Sequence, residues 1–243
     1  MLTIKQPTAI PILEVERNSP REFIYDKSIY FTVKGVFDTL ISILVIIFFL
    51  SWMIPLISIL IKLDSRGPVF FIQRRVGKGL RSFGCIKFRT MNCNRSGGNL
   101  NLDDDFYDVT RFGNFLRKTS LDELPQFLNV LFGQMSIVGP RPHMFSDCAR
   151  FSGYIQNYKF RSVVKPGITG LAQVNGFRGP AVDEYNIYSR FYYDIKYIKN
   201  LSFSLDLKIV LKTIVQVFLI LVAPTKGKRK VNRIRQKQKK LAA

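Results

Sequence analysis

The stretch Thr119-Ser120-Leu121-Asp122-Glu123-Leu124-Pro125-Gln126 sets two carboxylates side by side at what reads as the start of a helix. An aspartate is ionised at neutral pH, since its ordinary pKa is about 3.9. It therefore attacks phosphorus without a base to activate it, and an aspartyl-phosphate splits one difficult displacement into two. A neighbouring glutamate can hold Mg2+, which neutralises phosphoryl oxygens, and a helix N-terminus draws phosphate. The same residues have a second reading. Ser120, followed three positions later by Glu123, has the form of a capping box, and Asp122 in a first turn complements the helix dipole. Local sequence alone favours the cap, and the two readings are compatible.

Basic residues surround this element in sequence: Lys87, Arg89, Arg111, Arg117, Lys118 and Arg141. An arginine offers a bidentate fork to a diphosphate and a lysine a point charge, although each of them serves equally as a surface charge. Arg141 is the most constrained, because Pro140 and Pro142 on either side have fixed φ. Other chemistries have little material. His143 is the single histidine, and no nucleophile-elbow pattern accompanies it. Cys85, Cys93 and Cys148 form no CxxC pair, which argues against structural zinc and for a reducing compartment. Acid–base work falls to carboxylates.

The elements that must position these groups are partly legible. Residues 1–33 read as a flexible, proline-containing arm without a signal peptide. Residues 34–62 hold an apolar segment in which Leu40 to Ile61 carries no charge, long enough to cross a bilayer. Pro55 interrupts it, removing a backbone donor, so either a span or a re-entrant hairpin satisfies the pattern. Of the 37 Lys and Arg, only Lys5, Arg17, Arg21, Lys27 and Lys34 precede Lys62, which places the following domain, 63–223, in the cytoplasm. Val69-Phe70-Phe71-Ile72 and Ser82 to Met91 read as strands of a hairpin turning at Val76-Gly77-Lys78-Gly79. Asn92 to Asp105 reads as a solvated loop. Residues 111–132 read as two helical pieces parted near Thr119-Ser120 and closed by Gly133. Residues 139–180 are turn-rich, and 183–223 return to helix, with an interfacial character from Asp194 to Lys212. The tail, 224–243, is basic and suited to anionic headgroups.

A net charge of +20 with 47% hydrophobic residues admits three partners: nucleic acid, anionic lipid, or phosphorylated substrates. No helix-turn-helix, RNA-recognition or zinc-finger pattern supports the first. A non-catalytic membrane scaffold would account for the apolar segment and the tail, but not for the Asp122-Glu123 pair beyond capping.

The chain resembles the bacterial sugar transferase family, the monotopic phosphoglycosyl transferases. The likeness rests on motifs in family order: Leu60-Ile61-Lys62-Leu63-Asp64-Ser65, Gly67-Pro68-Val69-Phe70-Phe71, Gln73-Arg74-Arg75-Val76-Gly77, Lys87-Phe88-Arg89-Thr90-Met91, Leu116 to Gln126, Met135 to Pro142, and Lys165 to Gly176. The resemblance implies an α+β, mainly helical fold. In it a re-entrant membrane helix kinked near Pro55 precedes a small cytoplasmic catalytic domain with short strands and interfacial amphipathic helices. It implies Asp122 as nucleophile, Glu123 as its partner at Mg2+, and a covalent phosphosugar on Asp122 formed with release of UMP. Lys87, Arg89, Arg117, Arg141 and Gln173 become substrate-binding residues. The implied partners are a UDP-sugar, undecaprenyl phosphate and membrane lipids at the cytoplasmic face of a bacterial inner membrane, without nucleic acid; homo-oligomerisation is left open. The chain looks like a minimal form, closest to members that start exopolysaccharide with glucose or galactose. One departure concerns the helix break, where members often have Ser-Pro and this chain has Ile54-Pro55.

Overall fold

The computed structural model describes residues 27–92, 109–179 and 183–222. Most of the expected arm, nearly all of the Asn92–Asp105 loop and the basic tail lie outside them. Helix α1 (Ser28–Val45) continues through a π-helical turn (Ile46–Leu50) into α2 (Ser51–Asp64). Helix therefore begins inside the segment expected to be a flexible arm. The apolar run makes one helical stretch of 37 residues, Ser28–Asp64, a contour of roughly 55 Å at 1.5 Å per residue.

The π turn has a local cause. Pro55 cannot donate to the preceding turn, and the helix loosens just upstream, where the Ser51 N–H bonds back to the Ile46 carbonyl. Two side chains add donors there. Ser51 Oγ donates to the Ile47 carbonyl, and Trp52 Nε1 donates to the Phe48 carbonyl at 2.8 Å. These side-chain donors cover carbonyls of the π turn itself, upstream of the proline.

Both ends of this helix touch the same globular body. On α1, Asp38 accepts from Ser136 Oγ (2.6 Å) and from the Ile137 N–H (3.3 Å). Lys34 Nζ lies 2.8 Å from Asp206, which also accepts from Tyr197. On α2, Ile57 and Ile61 pack with Phe88 and Leu116. Between these anchors Ile47, Phe48, Phe49 and Trp52 are exposed.

The hairpin forms as expected. Strand β1 (Phe70–Val76) pairs antiparallel with β2 (Ser82–Phe88), from Phe70 opposite Phe88 to Val76 opposite Ser82. Helix α3 (Arg111–Thr119) is capped by Thr110 Oγ1, which accepts from the Gly113 N–H at 2.9 Å. It stops at Ser120, whose backbone is left-handed (φ 63°). Helix α4 (Gln126–Leu131) follows and closes at Gly133, as read from sequence. Asn129 on α4 ties it to β2, accepting from the Ile86 N–H and donating to the Gly84 carbonyl.

The segment read as turns contains more structure than its residues announced. Strand β3 (Ser136–Val138) runs parallel to β4 (Gly167–Thr169), flanking α5 (Phe145–Tyr154) and a 3-10 stretch, Tyr158–Val163. Helices α6 (Leu171–Val174), α7 (Glu184–Lys199) and α8 (Phe203–Val222) complete the fold. Strands of three residues are too short to display alternation. Here they depend on glycine: a Cβ on Gly167 would stand 2.1 Å from the Gly139 nitrogen. The main core, with Met135, Val138, Tyr158, Phe191 and Ile195, lies beneath this pair.

Two glycine substitutions separate close packing from helix propensity. Gly167→Ala is expected to destabilise the fold by about 3 kcal/mol, since the obstruction is backbone. Gly153→Ala on α5 meets nothing within 4 Å and should raise stability by about 0.5 kcal/mol. Thermal unfolding of the two variants checks the contrast; equal shifts would contradict it.

Candidate active site

Ser120 does not cap a helix. Its left-handed backbone ends α3, its side chain makes no capping bond, and residues Leu121–Glu123 form a single 3-10 turn. The capping box and the helix-dipole account of phosphate binding therefore both fail. The turn is too short to build a dipole, and the Glu123 side chain points elsewhere. Its Oε1 receives Lys87 Nζ at 2.8 Å and Arg141 Nη2 at 2.7 Å. Its Oε2 receives Arg141 Nη1 at 3.3 Å and faces Arg178 Nη2 at 3.5 Å. Burial alone would raise the Glu123 pKa, yet Arg141 and Lys87 hold it well below the usual range.

Asp122 behaves oppositely. Burial, and next the charge of Glu123, push its pKa up to about 6 against the pull of Lys87, Arg141 and Arg117. Among the described residues no hydrogen bond to its carboxylate is formed, so its oxygens are available to a reactant. Two adjacent carboxylates are thereby differentiated: Glu123 is a fixed counter-ion, and Asp122 is an unpartnered carboxylate in a cationic surround. That surround favours an incoming phosphate, whose charge exceeds what Glu123 alone supplies.

The turn that delivers Arg141 is held along its length. The Gly139 N–H donates to the Thr169 carbonyl, and the Pro140 carbonyl accepts from the Gly167 N–H, both at 2.9 Å. Arg161 Nη2 donates to the Arg141 carbonyl at 2.8 Å, and Arg75 Nη1 to the Pro142 carbonyl at 3.3 Å. Arg161 is itself fixed by Asp194 on α7, whose Oδ2 accepts from both Nε (3.0 Å) and Nη2 (2.6 Å). Fixed proline φ values supply the rest of the rigidity.

Of the residues expected to bind substrate, Lys87 and Arg141 converge on Glu123. Arg117 is exposed and anchored by Nε to Thr90 Oγ1 at 2.8 Å, and it acts on Asp122 through its charge. Arg89 stands apart from that cluster. Its buried guanidinium donates to the carbonyls of Ser65, Arg66 and Pro68, at 2.8, 2.7 and 2.6 Å. It ties down the loop leaving α2, because five donors in a planar fork suit clustered carbonyls. Gln173 is buried beside Gly170. Its Nε2 donates to the Ile168 carbonyl, and its Oε1 lacks a partner among the described residues. His143 is buried against Tyr158 and held neutral, by burial first and then by the charges of Arg161, Arg190, Arg141 and Arg75.

Three contributors were not anticipated. Arg178 follows directly on the Lys165–Gly176 motif, and that adjacency was the available signal. Arg161 and Asp194 carried none, since Asp194 reads as the start of an interfacial helix. Their buried pair invites a test. Asp194→Asn strands the Arg161 charge and should cost about 3 kcal/mol or more of stability, whereas Arg161→Met with Asp194→Leu should recover most of it. If chemical denaturation finds the double variant as unstable as the single one, the pair is not the source of the effect.

The description "Bacterial sugar transferase" belongs to the family model that matches residues 29–219. A UDP-glucose:undecaprenyl-phosphate glucose-1-phosphate transferase of Xanthomonas campestris pv. campestris is 40% identical over 88% of this chain and 43% of its own length. A UDP-N-acetylgalactosamine-undecaprenyl-phosphate N-acetylgalactosaminephosphotransferase of Aeromonas hydrophila is 44% identical over 76% of this chain and 44% of its own. The exopolysaccharide production protein PSS of Rhizobium leguminosarum bv. phaseoli is 40% identical over 74% of this chain and 90% of its own. The chain thus spans less than half of the first two relatives and nearly all of the third. With most of its length inside the family match, and the motif residues Lys87, Glu123 and Arg141 brought together in space, the chain belongs to the bacterial sugar transferase family.

Proposed function

We propose that the chain transfers a hexose-1-phosphate from a UDP-sugar to undecaprenyl phosphate, releasing UMP, as the first membrane step of exopolysaccharide or glycoconjugate synthesis. The observation that carries this reading is the unpartnered Asp122 carboxylate beside Glu123, where Lys87, Arg141 and Arg178 converge. An Asp122 oxygen attacks the phosphorus that bears the sugar. The bridging P–O bond breaks, and UMP departs with the electron pair. A lipid-phosphate oxygen then attacks the same phosphorus and expels Asp122 as a carboxylate, leaving a diphosphate-linked sugar. The cations hold the diphosphate in line and screen its charge as it approaches a carboxylate. The names of the relatives favour glucose as the transferred sugar, with galactose and N-acetylgalactosamine as the alternatives.

Mg2+ fits this site with one condition. Such ions take one or two carboxylates together with substrate phosphates. Asp122 is open, but the Glu123 oxygens already meet Lys87, Arg141 and Arg178. Glu123 would join Asp122 as a ligand once donor phosphates draw an arginine away. The ion supplies charge neutralisation at the phosphoryl oxygens. In nanodiscs with undecaprenyl phosphate and Mg2+, UMP rather than UDP should appear from a UDP-hexose, and Asp122→Asn should reduce it to background while remaining membrane-bound. UDP release, or turnover by that variant, would sink the mechanism.

The re-entrant topology is proposed on the same footing. Its support is the return of both α1 and α2 to one body, with exposed apolar residues between. An apolar hollow lined by Ile46, Leu50, Ser51, Ile54 and Pro55 lies at the π turn. A straight span would put those two anchors on opposite sides of a hydrocarbon core about 30 Å thick. Single cysteines introduced at Ile29 and at Leu63 should both react with an impermeant thiol reagent from the cytoplasmic face of sealed inner-membrane vesicles. Labelling from opposite faces would establish a span instead.

A further inference from the structure

Arg190 stands on α7, one turn before Asp194. The residue is only 8% exposed, and its Nε is buried without a partner among the described residues. The neighbour four positions on would ordinarily pair with it. Asp194 instead gives Oδ2 to both Nε and Nη2 of Arg161, so no carboxylate of the described residues pairs with Arg190. A guanidinium withdrawn from water with a carboxylate nearby but no direct pair to it is expensive to keep. It is retained where a ligand completes it.

The surroundings say what kind of ligand. Arg141 is near enough that its charge acts on Arg190, as do those of Arg161 and Asp194. The guanidiniums of Arg75, Arg141, Arg161 and Arg190 all act on the one imidazole of His143. Phe177 packs on Tyr193 of α7 with ring centroids 5.5 Å apart, which ties the segment bearing Arg178 to the helix bearing Arg190. Across this region the cations Lys87, Arg75, Arg117, Arg141, Arg161, Arg178 and Arg190 outnumber the carboxylates Asp122, Glu123, Asp147 and Asp194. A surplus of positive charge suits a multiply charged anion such as a diphosphate diester.

We propose that Arg190 is a second anion-binding arginine of the donor site, set beside Arg141 to take the diphosphate of a nucleotide sugar; the inference rests on the donor reading above. Arg141 is held in place by Glu123 and by its own clamped turn. Among the described residues Arg75, Arg117 and Arg190 are the cations of this group that pair with no carboxylate; Arg75 is engaged by the Pro142 carbonyl and by Gln73, Arg117 by Thr90, and Arg190 makes no such bond. Its position on α7 also links donor binding to the helix that fixes Arg161.

The test uses the full chain in nanodiscs, with Arg190→Met and Arg190→Lys beside the wild type. Titration calorimetry measures binding of inorganic pyrophosphate and of UDP-glucose, and thermal unfolding measures stability. Arg190→Met is expected to weaken binding of both probes at least tenfold while its Tm stays level or rises, since an unpaired buried charge has been removed. Arg190→Lys should recover part of the affinity. Unchanged affinity in Arg190→Met overturns the proposal, and so does weaker binding accompanied by a fall in Tm that lysine does not rescue. If the wild type binds pyrophosphate but not UDP-glucose, the nucleotide-sugar reading falls, and the pyrophosphate titrations alone decide Arg190. If it binds neither, both readings fall.

Discussion

The arrangement of the site depends on one buried carboxylate. Glu123 collects Lys87 from β2, Arg141 from the turn after β3, and Arg178 from the segment after α6. Three parts of the chain far apart in sequence meet on four lone-pair directions. Removing that anion would leave like charges facing one another in a half-buried space, so the geometry exists only while Glu123 is ionised. The same charges that hold it ionised act on Asp122 in a weaker and opposing balance, which leaves Asp122 chemically distinct from its neighbour.

Rigidity flows outward from that anchor. Arg141 is useful only if its backbone is immobile, and each carbonyl from Pro140 to His143 accepts from a partner outside the turn. The strand before it, β3, is held from the other side by Asp38 on α1. The apolar helix therefore also braces the site. A carboxylate on α1 fixes a strand that ends directly before Gly139-Pro140-Arg141, so the seating of the helix and the placing of the arginine share one set of hydrogen bonds. Buried polar contacts of this kind select one docking register among the many that apolar packing alone would allow.

Local chemistry was legible where it is written locally. The hairpin of β1 and β2, the two helical pieces around Ser120 and the closing Gly133 follow from alternation, periodicity and turn residues. The parallel pair β3–β4 was not, because three residues show no period and the pairing depends on Gly139 and Gly167 approaching across the fold. The capping box at Ser120 was a plausible local pattern that lost to tertiary charge: Glu123 has better partners than a backbone N–H. Arg89 shows a role that a motif does not announce. Its motif placed it with the functional residues, and its guanidinium holds the carbonyls of Ser65, Arg66 and Pro68. Arg161 and Asp194 were invisible because an ion pair across thirty-three positions has no signature in a single sequence.

On the proposed function a strongly basic protein at a membrane surface faces a conflict, since cations that attract a nucleotide sugar also attract lipid headgroups. Burial resolves it here. Lys87, Arg141 and Arg161 are turned inward onto Glu123 and Asp194 and are largely withdrawn from the surface. Buried ion pairs are poor sources of net stability, so their retention points to position rather than to folding energy. The excess of cations over carboxylates in that interior is left for a ligand small enough to enter and anionic enough to match it. A diphosphate meets both conditions, and a bilayer surface meets only the second.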